Sequence, residues 1–169
     1  MKRNIKTENQ EIVDYWFSRV DECGLSVDAT EAHERCWRCG YEASLERCHI
    51  IPHSLGGEDT PSNLVLLCHR CHIENPNVTD PEIMWDWIRA YRTPFYDTFW
   101  MLQGFKEYET IYGMSFKEEL KKREIGDLER FKELFQEEIE NTTFHYGHPY
   151  LNSATIAGVL RIILKRYDD

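Results

Sequence analysis

The chain has 169 residues, of which 41% are hydrophobic and 30% charged, with a formal net charge of −10. That length suits one domain, or a small domain with an extension, and the composition is ordinary for a globular protein. The acid is spread evenly, with 8 Lys/Arg against 13 Asp/Glu in residues 1–75 and 12 against 17 in residues 76–169. This excludes a broadly basic surface for neutralising phosphates, so any grip on nucleic acid needs a local patch, a cation or a basic partner. No apolar run approaches the roughly 20 residues of a membrane span, and Met1 to Lys6 has basic residues with no apolar segment behind them, unlike a secretory signal. A cytoplasmic setting is expected, where thiols stay reduced and paired cysteines serve as metal ligands.

In chain order, residues 1–7 read as disordered. From Glu8 to Val20, Ile12, Val13, Tyr15, Trp16, Phe17 and Val20 give a helical face. Cys23-Gly24 stops it, with Gly24 as a left-handed cap and Cys23 as a small buried hydrophobe. Asp28 to Ala32 reads as the start of a short second helix capped by Asp28. Next come Cys36-Trp37-Arg38-Cys39-Gly40 and Cys68-His69-Arg70-Cys71-His72, two C-x-x-C pairs separated by 28 residues. Two such turns supply the four converging thiolates of a structural zinc site. A redox role for Cys36-Trp37-Arg38-Cys39 would need a βαβ context and no second pair. Leu45–Ile51 and Leu64–Leu67 read as the strands of a hairpin, with Gly56-Gly57 in the loop and Pro52 ending the first strand. A helix begins after Cys68.

The residues His49-Ile50-Ile51-Pro52, Gly56-Gly57, Asn63-Leu64 and Leu67-Cys68 through Cys71-His72 carry a resemblance. Cys36 to Pro76 resembles an HNH endonuclease of the four-cysteine zinc type, within the ββα-metal group. The resemblance implies an α+β fold, a zinc-stapled ββα core with a predominantly α-helical C-terminal extension. It implies structural Zn²⁺ on Cys36, Cys39, Cys68 and Cys71, and a catalytic divalent cation (Mg²⁺, Mn²⁺, Ni²⁺ or Zn²⁺) on His72 with Cys48 or Asn63. His49 matches the general base; a neutral imidazole suits water activation near pH 7. Asn63 matches the residue that braces the base-bearing loop or helps bind the cation, and it also suits an Asx turn opening the second strand. His69 and His53 have no assigned role.

The sequence departs from the family pattern twice. Cys48 stands where the family usually has Asp, Glu or His, and a thiolate suits softer metals than Mg²⁺. The optional second helix histidine falls at Pro76. The implied activity is metal-dependent hydrolysis of DNA, double-stranded, in a restriction, phage-defence or phage setting. The alternatives are a non-cutting zinc adaptor or nucleic-acid-binding module, and an RNA-cleaving toxin.

Beyond Pro76 the chain turns helical. Thr79-Asp80-Pro81-Glu82 opens a helix to about Tyr91, broken by Thr93-Pro94. Residues 95–112 are aromatic-rich. Ser115-Phe116-Lys117-Glu118 is a capping box for one long helix to about Glu140, with Leu120, Ile125, Leu128, Phe131, Leu134, Phe135 and Ile139 on its buried face. After a loop with His145 and His148, Ser153 caps a last helix through Tyr167 that ends in Arg161, Lys165 and Arg166. The aromatics are most simply core; Trp85, Trp87 and Trp100 would otherwise form a homodimer or protein-partner interface. The expected division is residues 1–30 as an N-terminal helical segment, 31–78 as the nuclease core and 79–169 as the helical extension.

Overall fold

The computed structural model describes residues 5–19, 25–90, 95–144 and 151–168. The readings at Val20, Cys23, Gly24, Tyr91, Thr93, Pro94, His145 and His148 lie outside these residues. Among them, seven helices and one two-stranded antiparallel sheet make a mixed α+β fold. The chain divides into two compact units, Met1–Phe99 and Trp100–Asp169. No described helix is long and apolar enough to cross a membrane.

In the first unit, α1 (Asn9–Phe17) is opened by a capping box between Glu8 and Glu11 and buries Ile12 and Val13. Of residues 1–7, expected to be disordered, residues 1–4 lie outside the described residues and residues 5–7 are held in place. Arg47 donates to the carbonyls of Ile5 at 3.0 Å and Thr7 at 2.9 Å, and the Thr7 hydroxyl donates to the Asp59 carbonyl at 2.9 Å. These partners lie about forty or more residues away, beyond any local pattern. The helix expected at Asp28 is replaced by turns. Asp28 Oδ1 accepts from the Thr30 backbone at 2.9 Å and hydroxyl at 2.6 Å, a local bond that competes with helix formation.

The hairpin pairs β1 (Leu45–His49) with β2 (Leu64–Cys68), Leu45 opposite Cys68 and His49 opposite Leu64. β1 ends before Ile51 because the Asn63 side chain takes over that residue's backbone amide and carbonyl. β2 is buried at every position, since α1 packs on it and α2 (His69–Glu74) packs across both strands. Its continuous Leu-Val-Leu-Leu run is the pattern of a strand covered on both faces. Trp16 of α1 donates its indole N–H to the Leu64 carbonyl at 2.8 Å. α3 (Pro81–Arg89) is capped by Asp80, which accepts from Glu82 N at 3.0 Å, and it buries Met84, Trp85 and Ile88.

The second unit holds α4 (Phe99–Tyr112) from Trp100 on, α5 (Phe116–Lys122), α6 (Leu128–Glu140) and α7 (Ser153–Asp168). Its core joins Tyr108, Phe116, Ile156, Leu160 and Leu164, with Leu134, Val159 and Ile163 beside α6. The single long helix expected from Ser115 to Glu140 is two. Glu124 adopts a left-handed φ of 56°, Gly126 follows, and Asp127 caps a fresh start by accepting from Arg130 N at 2.9 Å. Leu128, expected inside, is 67% exposed because it sits in that new first turn. The cap of α7 is Asn152, one residue before Ser153, accepting from Thr155 N at 2.8 Å. Trp85 and Trp100 are buried, while Trp87 is half-buried. The terminal basic residues meet acid: Arg166 bonds Glu137 and Glu138, both at 2.7 Å, and Arg161 lies 3.6 Å from Glu119.

Two glycines of this unit make opposite predictions. A Cβ on Gly104 of α4 would lie 2.2 Å from Cγ2 and 2.6 Å from Cβ of Ile156, whereas one on Gly158 of α7 would meet open space. Gly104→Ala should destabilise the unit by about 1–3 kcal/mol through overpacking. Gly158→Ala should stabilise it by about 0.5–1 kcal/mol through helix propensity. Denaturant unfolding of the two variants checks the signs.

Candidate metal centre and active site

The four paired cysteines converge. Cys36, Cys39, Cys68 and Cys71 are all buried, with their sulfurs within 4.8 Å of one another. Cys39 Sγ and Cys68 Sγ are 3.8 Å apart. A tetrahedral zinc at about 2.3 Å from each sulfur demands a sulfur–sulfur separation of about 3.8 Å, so the cage fits the ion. The first pair is shaped by a tight turn. Gly40 takes a left-handed φ of 73° and donates its N–H to the Cys36 carbonyl at 2.8 Å, while Cys36 N–H donates to Tyr41 at 3.0 Å. The second pair is set by the junction of two elements, Cys68 ending β2 and Cys71 lying in α2. Trp37 docks the first turn onto the sheet: its backbone N–H donates to Leu66 at 3.1 Å and its indole to Ala32 at 2.8 Å.

Charge is balanced around this cage. Hydrogen bonds with Cys36, Cys39 and Cys71 pull the Cys68 thiol far below its ordinary range, and bonds with Cys36 first and then with Cys68 among the other sulfurs push Cys39 and Cys71 up. A cation binding four thiolates displaces whatever protons the sulfurs carry. Arg38, between the first two cysteines, is 6% exposed. Its guanidinium lies 3.7 Å from Cys71 Sγ and donates to Glu74 at 2.9 Å. It also lies 3.9 Å from the Trp87 ring centre and 4.9 Å from that of Phe99. A buried cation so placed offsets thiolate charge and ties α2, α3 and the first turn together.

At the far end of β1, His49 meets Asp59. The two are 2.7 Å apart, Nε2 to Oδ1, with about a fifth of each side chain exposed. A carboxylate only accepts, so the ring proton sits on Nε2 and Nδ1 carries the lone pair. The loop that presents Asp59 is held by Asn63. Its amide oxygen accepts from Ile51 N at 2.9 Å, and its amide nitrogen donates to the carbonyls of Ile51 and Glu58, both at 3.0 Å. Three of the four hydrogen-bonding positions of Asn63 are thus spent on backbone. Gly57 makes the closure feasible, since a Cβ there would lie 1.8 Å from the Ile51 carbonyl oxygen and 2.7 Å from Asn63 Nδ2.

A second imidazole–carboxylate group lies on the other face of β1, where alternation places Glu46 and Cys48. Glu46 Oε2 is 2.5 Å from His72 Nδ1, and its Oε1 is 2.9 Å from His69 Nδ1. Burial raises the Glu46 carboxyl, but the hydrogen bonds to His72 and then His69 outweigh it and leave it below its ordinary value. Cys48 is 1% exposed. Burial first, then the nearby Cys36 charge, pushes its thiol up to about 12. His53 has its ring centre 6.4 Å from that of His49.

The four cysteines are brought together, and His49 and Asn63 flank one loop. His72 stands on α2 with Glu46 instead. Asp59 and Glu46 were missed by sequence reasoning. Glu46 was findable, sharing a strand face with Cys48 two residues on; Asp59, inside a loop, gave no such signal.

Two expectations follow. The chain should bind one Zn²⁺ at the cysteine cage, with affinity falling as pH falls because protons compete for the sulfurs. Chelation or Cys39→Ser should unfold the cage region, since structural zinc contributes on the order of 10 kcal/mol; metal analysis with thermal unfolding reads both. Gly57→Ala should cost roughly 1–3 kcal/mol or more, because backbone must move to admit the methyl. The same unfolding assay measures it.

Residues 34–77 match the family model described as HNH endonuclease. Comparison with curated proteins and with solved structures returned no significant match. The match points to a nuclease or nucleic-acid-binding role, and the ββα geometry and four-sulfur cage coincide with the matched residues. The match to the HNH endonuclease family model thus falls on the segment whose four cysteines are placed to hold a metal ion.

Proposed function

We propose that the protein is a metal-dependent endonuclease that hydrolyses DNA phosphodiester bonds, with His49 as general base. The observation that carries this reading is the His49–Asp59 pair at 2.7 Å inside the HNH segment. Hydrolysis needs a water deprotonated in line with the leaving oxygen. Nδ1 of His49 holds the lone pair for that proton, and Asp59 both fixes the tautomer and stabilises the imidazolium that forms. Asn63 and Gly57 keep the loop closed so that Asp59 stays against the ring. His72, in the same segment, is the residue we assign to the catalytic cation; Asn63 contributes as a brace. When bound, a divalent cation polarises the scissile phosphate and stabilises the leaving oxygen. The cysteine cage holds structural zinc.

The net charge of −10 favours a weak intrinsic grip on DNA, with few phosphates neutralised and a shallow salt dependence. The same charge, with Cys48 in place of a carboxylate, favours a second reading: a zinc-bound adaptor that does not cut.

Supercoiled-plasmid cleavage with Mg²⁺, Mn²⁺, Ni²⁺ and Zn²⁺ in turn separates the two. Wild type should cut, His49→Ala should lose about 10²–10⁴-fold, and Asp59→Asn should lose at least about tenfold with secondary structure unchanged. Absence of cleavage with all four cations, from folded and zinc-loaded protein, supports the adaptor. Cleavage of RNA but not DNA would overturn the substrate.

A further inference from the structure

Glu46 is not used by the reading above, yet it is the partner of the residue on which the cation depends. Its two oxygens face two imidazoles of one helix, His72 at 2.5 Å and His69 at 2.9 Å, each through Nδ1. His72 has about a third of its side chain exposed and His69 about two thirds. Surface ion pairs of this exposure add little to folding, so fold stability does not account for the arrangement. Its consequence for His72 is chemical. A carboxylate on Nδ1 requires the proton there, which leaves the Nε2 lone pair pointing away from Glu46. Metal-ligating histidines use this arrangement, one nitrogen donating to a carboxylate while the other binds the ion.

Resting on the assignment of His72 to the cation, we infer that Glu46 is a positioning residue that locks His72 in the Nδ1–H tautomer and makes Nε2 the ligand atom. His69, bonded to the other oxygen, keeps the carboxylate from swinging away. Strand alternation explains why Glu46 can do this: it shares a face of β1 with Cys48, where the sequence lacks the usual carboxylate. Glu46 thus returns a negative charge to this side of the hairpin, acting through an imidazole and touching no substrate.

The test uses the full chain with the cysteine cage loaded with Zn²⁺, and Mn²⁺ as the probe for the second site. Calorimetry gives Mn²⁺ affinity for wild type, Glu46→Gln, Glu46→Leu, His69→Ala and His72→Ala. Nitrogen-15 NMR of the imidazoles in Mn²⁺-free protein reads the His72 tautomer. The expected result is one Mn²⁺ per wild-type chain, no binding by His72→Ala, and the Nδ1–H form of His72 in wild type. Glu46→Leu should lose the tautomer bias and bind about 10–100-fold more weakly. Glu46→Gln, which keeps a neutral acceptor, should fall between, and His69→Ala should stay within a few-fold of wild type.

If Glu46→Leu fails to fold, the Glu46→Gln affinity and the wild-type tautomer decide the matter. Wild-type Mn²⁺ affinity in Glu46→Gln with an Nε2–H tautomer in wild type overturns the inference while leaving His72 a ligand. So does an ion bound on Nδ1 between His72 and Glu46, seen as loss of the Nδ1–H signal on loading with diamagnetic Mg²⁺. Absence of any second ion in wild type overturns the cation assignment itself.

Discussion

Four sulfurs at tetrahedral spacing are the constraint on which the HNH segment depends. A hairpin with two five-residue strands and a six-residue helix cannot bury enough surface to hold itself together. The cage links the ends of that small unit, the turn before β1 and the junction of β2 with α2, so one bound ion would set the geometry of three elements. Trp37 and Arg38, the two residues inside the first C-x-x-C, extend the effect. Trp37 anchors the turn to β2, and Arg38 carries its charge to the sulfurs while its faces pack on Trp87 and Phe99. A buried guanidinium is costly unless paired. Here thiolate, Glu74 and two aromatic faces supply the pairing, so metal and core each make the other favourable.

The hairpin then displays one histidine–carboxylate group on each side. His49 and Asp59 meet at the loop end, and Glu46 meets His72 and His69 over α2. In both, the carboxylate selects which ring nitrogen carries the proton, and the tautomer decides what the histidine can do. A base needs a free lone pair toward water; a ligand needs one toward the ion. The loop pair is supported by backbone closure through Asn63 and Gly57, and the helix pair by strand alternation and one helical turn. Different scaffolding thus produces the same local chemistry twice.

The second unit solves its acidity internally. Arg166 and Arg161 of α7 pair with glutamates of α6 and α5, so two of the three basic residues near the end of that helix are already engaged with acid. Its packing is of ordinary helical kind, with Gly104 permitting close approach of α4 to Ile156.

How much of this was legible from the chain depends on the range of each interaction. The sequence alone determined the cage, because C-x-x-C spacing is a local turn property and zinc demands four such sulfurs. It determined the hairpin and most helices, through apolar periodicity and caps such as Asp80 and Ser115. It placed His49, Asn63 and His72 in a recognisable order. Tertiary structure alone decided that residues 5–7 are pinned by Arg47, that Asn63 spends its amide on the Ile51 loop, and that Asp59 and Glu46 are the partners of the histidines. It also split the expected long helix at Glu124 to Asp127, where a left-handed residue and a new cap outweighed continuous periodicity. The physical reason is common to all of these: a side chain's partner across a loop or a sheet is fixed by where the backbone returns, and that information is carried by packing rather than by neighbours in sequence.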